Sequence, residues 1–202
     1  MTFSNDISIL ILAAGNSSRM GTPKQLLKIK NTTLLEHTLN CAIESRVESI
    51  AVVLGADSYR IQKSIPGSNV TVIVNQDWRT GMGSSIKLGL KKILSQNINT
   101  QATIILVCDQ PTLKAGHINK MVEMYLLKSP FAVASSYKDV FGVPVLFDRT
   151  LFSHLLTIED HKGAKEITAN LRERLILVPL AGGEIDLDTM EDYQQFINRT
   201  QK

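Results

Sequence analysis

Apolar residues fall along this chain in two modes. Short runs rich in Val, Ile and Leu, closed off by small or polar residues, predict strands over residues 7–13, 49–54, 70–74, 103–108, 131–135, 143–147 and 175–179. Longer stretches between them carry apolar residues at helical spacing and predict helices over 34–45, 58–64, 84–95, 116–128, 151–156, 164–171 and 189–198. Alternation of the two is the pattern of an α/β domain with a mainly parallel sheet. Such sheets bind ligands at the loops that follow the carboxyl ends of their strands, and every chemically notable stretch of this chain follows a predicted strand. No internal repeat, low-complexity tract or domain boundary is visible, so residues 1–202 are expected to form one domain.

The first strand runs into LAAGNSSRMGTPKQLL, residues 12–27, where side chains nearly vanish. Gly15 and Gly21 are expected to give the backbone positive φ and close approach to a ligand. Successive backbone N–H groups in such a loop make an anion-binding nest, and Arg19 and Lys24 add fixed positive charge. No Asp or Glu occurs between Ile7 and Glu36, as a polyanion site requires. The P-loop pattern is excluded because Lys24 follows Pro23 and no Gly-Lys-Ser/Thr closes the loop. The dinucleotide fingerprint is excluded because Gly15 and Gly21 do not supply its glycines. The bland alternative is a glycine-bearing turn after a first strand.

Later strands end in comparable loops. After residue 54, Gly55-Ala56 would admit a flat group against backbone, or Asp57 caps a helix; both readings stand. After residue 74, Asn75 offers the donor and acceptor that recognise a pyrimidine edge, while Ser84 and Ser85 are placed to cap the next helix. Trp78 is expected to pack under that loop. Asp109 ends an apolar strand, the usual place for a hard-metal ligand, with helix capping before Pro111 as the alternative. Gly142 and Pro144 are expected to shape a turn into the strand at 143–147. Asp186 and Asp188 alternate on an extended segment, so both point to one face, and Thr189 caps a last helix.

Composition narrows the classes. Hydrophobic residues at 44% and charged residues at 20% fit a globular domain with a sizeable core. A net charge of +3, without a basic cluster interleaved with aromatics, argues against nucleic acid as partner. The apolar run near the start has an acid at Asp6, lacks a basic flank and ends in the glycine loop; neither a signal peptide nor a membrane span is expected, and the cytoplasm is the expected location. Cys41 and Cys108 lie in apolar contexts, against a disulfide framework or a Cys-rich zinc site. His37, His117, His154 and His161 show no metal spacing and assemble no Ser-His-Asp grouping.

LAAGNSSRMGTPKQLL resembles the signature of the nucleotidyltransferases with a GT-A-like, Rossmann-related fold, and within them most resembles the molybdenum cofactor cytidylyltransferase type. The resemblance spans residues 12–193. It continues through the loop around Gly83-Ser84-Ser85, through CDQP (residues 108–111), which is similar to the family's magnesium motif, and through FGVPVLF (141–147), which faces the acceptor. It ends in EIDLDTMED (184–192), with Met190 where the family has proline. Where the family tends to Gly-Asp-Lys-Gly-Ala-Arg, this chain reads Asp160-His161-Lys162-Gly163-Ala164-Lys165, a departure that bears on the acceptor. The resemblance implies a three-layer α/β/α fold with a mainly parallel mixed sheet. It implies nucleotide binding by Leu12, Ala13, Ala14, Gly15, Arg19, Met20, Gly21, Lys24, Gly55, Asn75, Gly83, Ser84 and Ser85. Arg19, Lys24 and Asp109 would be catalytic. Asp109 and Asp188, supported by Asp186, would hold Mg²⁺. Gly142 and Pro144 would face the acceptor; Lys162 and Lys165 would grip its phosphate or else be a solvated basic helix start. The activity implied is transfer of CMP from CTP to the terminal phosphate of molybdopterin with release of pyrophosphate, with a client molybdoenzyme as a further partner. LAAG rather than Leu-Ala-Gly-Gly, and Pro23 rather than Asp before Lys24, lean toward the cytidylyl type. The alternatives are the guanylyl type, a cytidylyltransferase for another small phosphate or alcohol, and a non-catalytic cofactor-binding chaperone.

Overall fold

The computed structural model describes residues 6–18, 20–65, 69–169, 171 and 174–200. Arg19 lies outside the described residues. Strand β1 (Ile7–Ala13) shows how the sheet is filled. It is buried along its length: Ile7, Ile9, Ile11 and Ala13 enter one core, while Leu10 and Leu12, with Ala14 just beyond, enter the other. That is the period-2 alternation of a strand covered on both faces.

Around β1, the strands β4 (Ser49–Leu54), β5 (Val70–Val74), β6 (Ala102–Val107), β7 (Ala132–Tyr137), β8 (Val140–Asp148) and β9 (Leu175–Pro179) form one sheet in the order β5-β4-β1-β6-β8-β7-β9. β8 is antiparallel to β6 and β7; the other pairs are parallel. Helices α1 (Leu34–Ile43) and α4 (Ala115–Lys128) cover one face through Leu35, Leu39, Ile118 and Met121. Helices α3 (Met82–Gln96), α5 (Phe152–Thr157) and α6 (Ala164–Thr168) cover the other through Ile86, Leu90, Phe152, Leu155 and Ala164. This is the expected three-layer α/β/α arrangement. The one-turn helix α2 (Ser58–Gln62) adds Ile61 to the first core.

A small hairpin, β2 (Lys28–Ile29) with β3 (Thr32–Thr33), precedes α1, whose first turn carries a reciprocal capping box between Thr33 and Glu36. The last helix, α7 (Met190–Thr200), packs there: Leu187, Ile29 and Leu34 are buried together against Tyr193 and Phe196, and the Tyr193 hydroxyl donates to the Lys28 carbonyl at 2.7 Å. Thr189 caps α7, exchanging hydrogen bonds with Asp192. This anchors the segment carrying Asp186 and Asp188 beside the first loop.

Four local expectations are corrected. Gly142 and Pro144 lie inside β8 rather than in a turn before it; the turn is at Lys138, with φ 50. The β7–β8 register shifts so that Ala134 faces Val145 and Ser135 faces Gly142, which leaves 143–144 out of the ladder, where the N–H that proline lacks costs no bond. Helix α3 begins at Met82, so Ser84 and Ser85 lie in its first turns instead of capping it; the Ser84 hydroxyl donates back to the Gly81 carbonyl at 2.7 Å. Asp57 precedes α2 in the left-handed region, with φ 52, and makes no side-chain cap bond. In the first loop Ser17 and Gly21, not Gly15, have positive φ.

Cys41 and Cys108 are free and buried. Among the described residues no helix is long and apolar enough to cross a membrane. His117 on α4 lies 2.8 Å from the Ser135 hydroxyl, and burial lowers it from 6.5 to about 4. The folded state therefore takes up this proton less readily than the unfolded chain. The stability contributed is full above pH 6.5 and is lost as pH falls toward 4. After discounting for partial exposure it amounts to about 1–2 kcal/mol. Melting curves should show Tm falling over that range, and His117→Gln should remove about 4 °C of the fall.

Candidate active site

The loop after β1 is braced from below. Gln25, fully buried, donates through Nε2 to the carbonyls of Ala13 and Gly15, each at 2.9 Å. The Ser17 hydroxyl accepts the Lys24 backbone N–H at 2.9 Å. Nothing lies within 4 Å of where a Cβ would stand on Gly15 or Gly21, so both face open space. Leu12, Ala13, Ala14, Gly15 and Lys24 form one wall of a cleft of about 510 Å³, with Asp109 at the end of β6, and Trp78, Arg79, Met82 and Ser85 opposite. A second hollow of about 320 Å³, lined by Gly15, Asn16, Ser17, Ser18, Lys24 and Asp188, shares Gly15, Asn16 and Lys24 with the first.

Lys24 joins the two halves. Its ammonium lies 2.5 Å from Asp109 Oδ2 and 3.0 Å from Asp188 Oδ1. Burial alone would lower this ammonium; Asp109, and to a lesser extent Asp188, reverse the effect and hold it above its ordinary value. The segment carrying Asp188 is tied directly to Asp109, whose carbonyl accepts the Leu187 N–H at 3.2 Å. Asp186 is pushed up to about 6 by burial and by the neighbouring charges of Asp109 and Asp188. Burial, then Asp186 and Asp109, also raise the Tyr137 hydroxyl, so the acidic field reaches β7.

Among the described residues no three His, Cys, Asp or Glu side chains form a ready metal cage. The donor set nevertheless suits a hard divalent cation. Asp109 and Asp188 already share one cation, the Lys24 ammonium, and Asp186 is raised by burial and then by the charge of those two carboxylates. Mg²⁺ characteristically takes one or two carboxylates and completes its shell with water and phosphate oxygens, so a full protein cage is not required.

Other sequence-derived candidates occupy different places. Asn75, 4% exposed, spends its amide internally: Nδ2 donates to the Ser84 and Ser85 hydroxyls at 2.9 and 3.0 Å, and Oδ1 accepts the Asp77 N–H at 3.0 Å. It braces the start of α3, and of that group only Ser85 reaches the cleft. The flat group that Gly55 admits is the chain's own Trp78: a Cβ on Gly55 would stand 2.5 Å from the Ala14 carbonyl oxygen and 2.6 Å from Trp78 Cβ. Gly55→Ala is therefore expected to cost about 1–3 kcal/mol, read as a lower Tm, by driving the loop and Trp78 apart.

Gly83 donates its N–H to the Asp160 carbonyl at 2.8 Å, and a Cβ there would meet the Glu159 carbonyl. The departing pair Asp160-His161 thus packs on the glycines that open α3, and the Asp160 carboxylate pairs with Lys87 at 2.5 Å. Lys162 pairs with Glu159 at 2.5 Å, Lys165 is exposed on α6, and neither lines the cleft. Met20 is buried beneath the loop. Gly142 lies under the Tyr137 hydroxyl.

Sequence reasoning passed over Gln25 and Arg79. The Arg79 guanidinium sits 4.4 Å from the Trp78 ring centroid at the cleft wall. Adjacency to Lys24 was the available signal for Gln25; Arg79 carried none.

Residues 9–175 match the MobA-like NTP transferase domain. The purine catabolism protein PucB of Bacillus subtilis is 30% identical over 199 residues, covering 91% of this chain and 92% of that protein. The molybdenum cofactor cytidylyltransferase of Escherichia coli is 24% identical over 196 residues, covering 93% of each. The solved structure of Rv0371c from Mycobacterium tuberculosis in complex with manganese superposes with a TM-score of 0.77 at 22% identity, covering 95% of this chain and 98% of that one. The chain belongs to the MobA-like NTP transferase family and is a nucleotidyltransferase of that family.

Proposed function

We propose that the protein transfers CMP from CTP to the terminal phosphate of molybdopterin, forming the cytosine dinucleotide cofactor and releasing pyrophosphate. The observation that carries this reading is Lys24 held between Asp109 and Asp188 where the cleft meets the hollow of the first loop. An acceptor phosphate oxygen would attack the α-phosphorus in line; the new O–P bond forms as the bond to the β-phosphate oxygen breaks. Backbone N–H groups of residues 13–16, with Arg19, would seat the triphosphate. Lys24 would turn from the carboxylates to the phosphates and neutralise charge on the departing pyrophosphate. Asp109 and Asp188, with Asp186 in support, would hold Mg²⁺, which supplies charge neutralisation at the α-phosphate. The manganese named for Rv0371c supports a divalent ion. Gly142 and Pro144 on β8 would face the acceptor, and Lys162 and Lys165 would have to leave their present surroundings to reach it.

The choice of CTP rests on the near full-length likeness to the E. coli cytidylyltransferase together with LAAG and Pro23. Two buried free thiols support a reducing, cytoplasmic location. A client molybdoenzyme would receive the product. Calorimetric titration of CTP and of GTP in Mg²⁺ tests the base assignment: CTP is expected to bind at least tenfold more tightly, and a preference for GTP would transfer the assignment to guanylyl transfer.

A further inference from the structure

We propose that Gln25 is the positioning residue of the triphosphate loop, turning the backbone of residues 13–16 so that its N–H groups face outward to the nucleotide. This rests on the reading of that loop as the NTP site. Gln25 is 0% exposed, and both hydrogens of its amide are committed, to the carbonyls of Ala13 and Gly15 at 2.9 Å each. In a trans peptide the carbonyl of one residue and the N–H of the next point in opposite directions. Drawing the Ala13 and Gly15 carbonyls inward to a buried side chain therefore turns the N–H groups of Ala14 and Asn16 away from it, on the loop that lines the cleft.

The same side chain closes the loop across its base. The Ser17 hydroxyl contacts Gln25 Oε1 at 3.5 Å and accepts the Lys24 N–H at 2.9 Å, so residues 13–17 and 24–25 are stitched together. Lys24, which reaches Asp109 and Asp188, is the immediate neighbour of Gln25 but is held at its ammonium by those two carboxylates. An apolar side chain of equal length would fill the space but leave the Ala13 and Gly15 carbonyls without their donor and free to rotate toward the ligand, where they repel phosphate.

The test compares wild type with Gln25→Met, using three probes: CTP with Mg²⁺ and inorganic tripolyphosphate with Mg²⁺ by calorimetry, and Mn²⁺ alone by electron paramagnetic resonance. The expected result is CTP and tripolyphosphate binding weakened at least tenfold, Mn²⁺ binding within twofold of wild type, and faster amide exchange confined to residues 14–16. A purely structural role would lower Tm and weaken all three probes together, and that result overturns the proposal. So does CTP affinity within twofold of wild type. If Gln25→Met does not fold, Gln25→Asn, whose amide is one methylene too short to span both carbonyls, is expected to give the same split. Wild-type protein that binds neither an NTP nor tripolyphosphate overturns the nucleotide reading and this proposal together. Wild-type binding with an unaltered variant overturns this proposal alone.

Discussion

Asp109→Asn is expected to lower turnover by about 10²- to 10³-fold with little change in Tm. The side chain keeps its size. The bond from the Leu187 N–H uses the Asp109 backbone carbonyl, so the segment bearing Asp186 and Asp188 stays in place. What changes is charge. The Lys24 ammonium loses its 2.5 Å partner and retains Asp188 alone, and the proposed metal site loses the carboxylate in the turn after β6. Removing one preorganised charge contact to a developing transition state typically costs about 3–4 kcal/mol, which sets the expected factor. Asp186 reports the same change independently: with a like charge removed, its value of about 6 should fall, while burial, the larger cause, still holds it above the ordinary carboxylate range. Steady-state rates at saturating CTP, acceptor and Mg²⁺ check the prediction, and a rate within threefold of wild type would exclude Asp109 from the chemistry.

Lys24→Met should reduce turnover at least as severely, by about 10³-fold or more, while shifting metal affinity the other way. Without nucleotide, Lys24 occupies the two carboxylates proposed for the metal. It therefore competes with a divalent ion, and its removal leaves Asp109, Asp186 and Asp188 together without their internal cation. Unpaired carboxylates so close to one another destabilise the folded state by a few kcal/mol and attract a cation strongly. The variant should accordingly melt lower in EDTA, regain stability on addition of Mn²⁺, and bind Mn²⁺ about tenfold more tightly than wild type in the absence of nucleotide. Its kcat should fall because no other described side chain takes up the position of this ammonium between the carboxylates and the phosphate loop. Unchanged Mn²⁺ affinity would mean that Lys24 and the metal do not share ligands.

The sheet was legible because each central strand is buried on both faces and so reads as an uninterrupted apolar run. The central strands β1 and β4 begin and end where those runs do, and so do the edge strands β5 and β9, which are only partly buried but equally apolar in sequence. Legibility failed where the backbone departs from a periodic element. The strands β2 and β3 are two residues each, too short to carry a period. The start of β8 was hidden because Gly142 and Pro144 resemble a turn, although the register shift in the β7–β8 pair absorbs them.

In the candidate site, the residue types around Lys24 and Asp109 pointed to anion and cation chemistry through the loops that hold them. The sequence carries no signal for the pairing of Lys24 with Asp188, 164 residues away; the family resemblance implied only that Asp188 shares a metal with Asp109. Glycines were ambiguous in principle. Gly15 is open to the cleft, whereas Gly55 and Gly83 are small because Trp78 and the Glu159 carbonyl fill the space beside them. A sequence does not distinguish room for a ligand from room for the chain itself. Asn75 shows the same limit, because an amide suited to a pyrimidine edge is equally suited to two serine hydroxyls.

The central proposal is chemical: that this site joins a cytidylyl group to a pterin phosphate. The most direct measurement is pyrophosphate release when purified protein is mixed with CTP, Mg²⁺ and molybdenum-loaded molybdopterin, with omission of each component in turn. The account predicts one pyrophosphate per acceptor consumed, at least tenfold faster with CTP than with GTP, and none without acceptor or metal. Tight binding of CTP and pterin without pyrophosphate release would contradict it and identify the protein as a carrier of the cofactor.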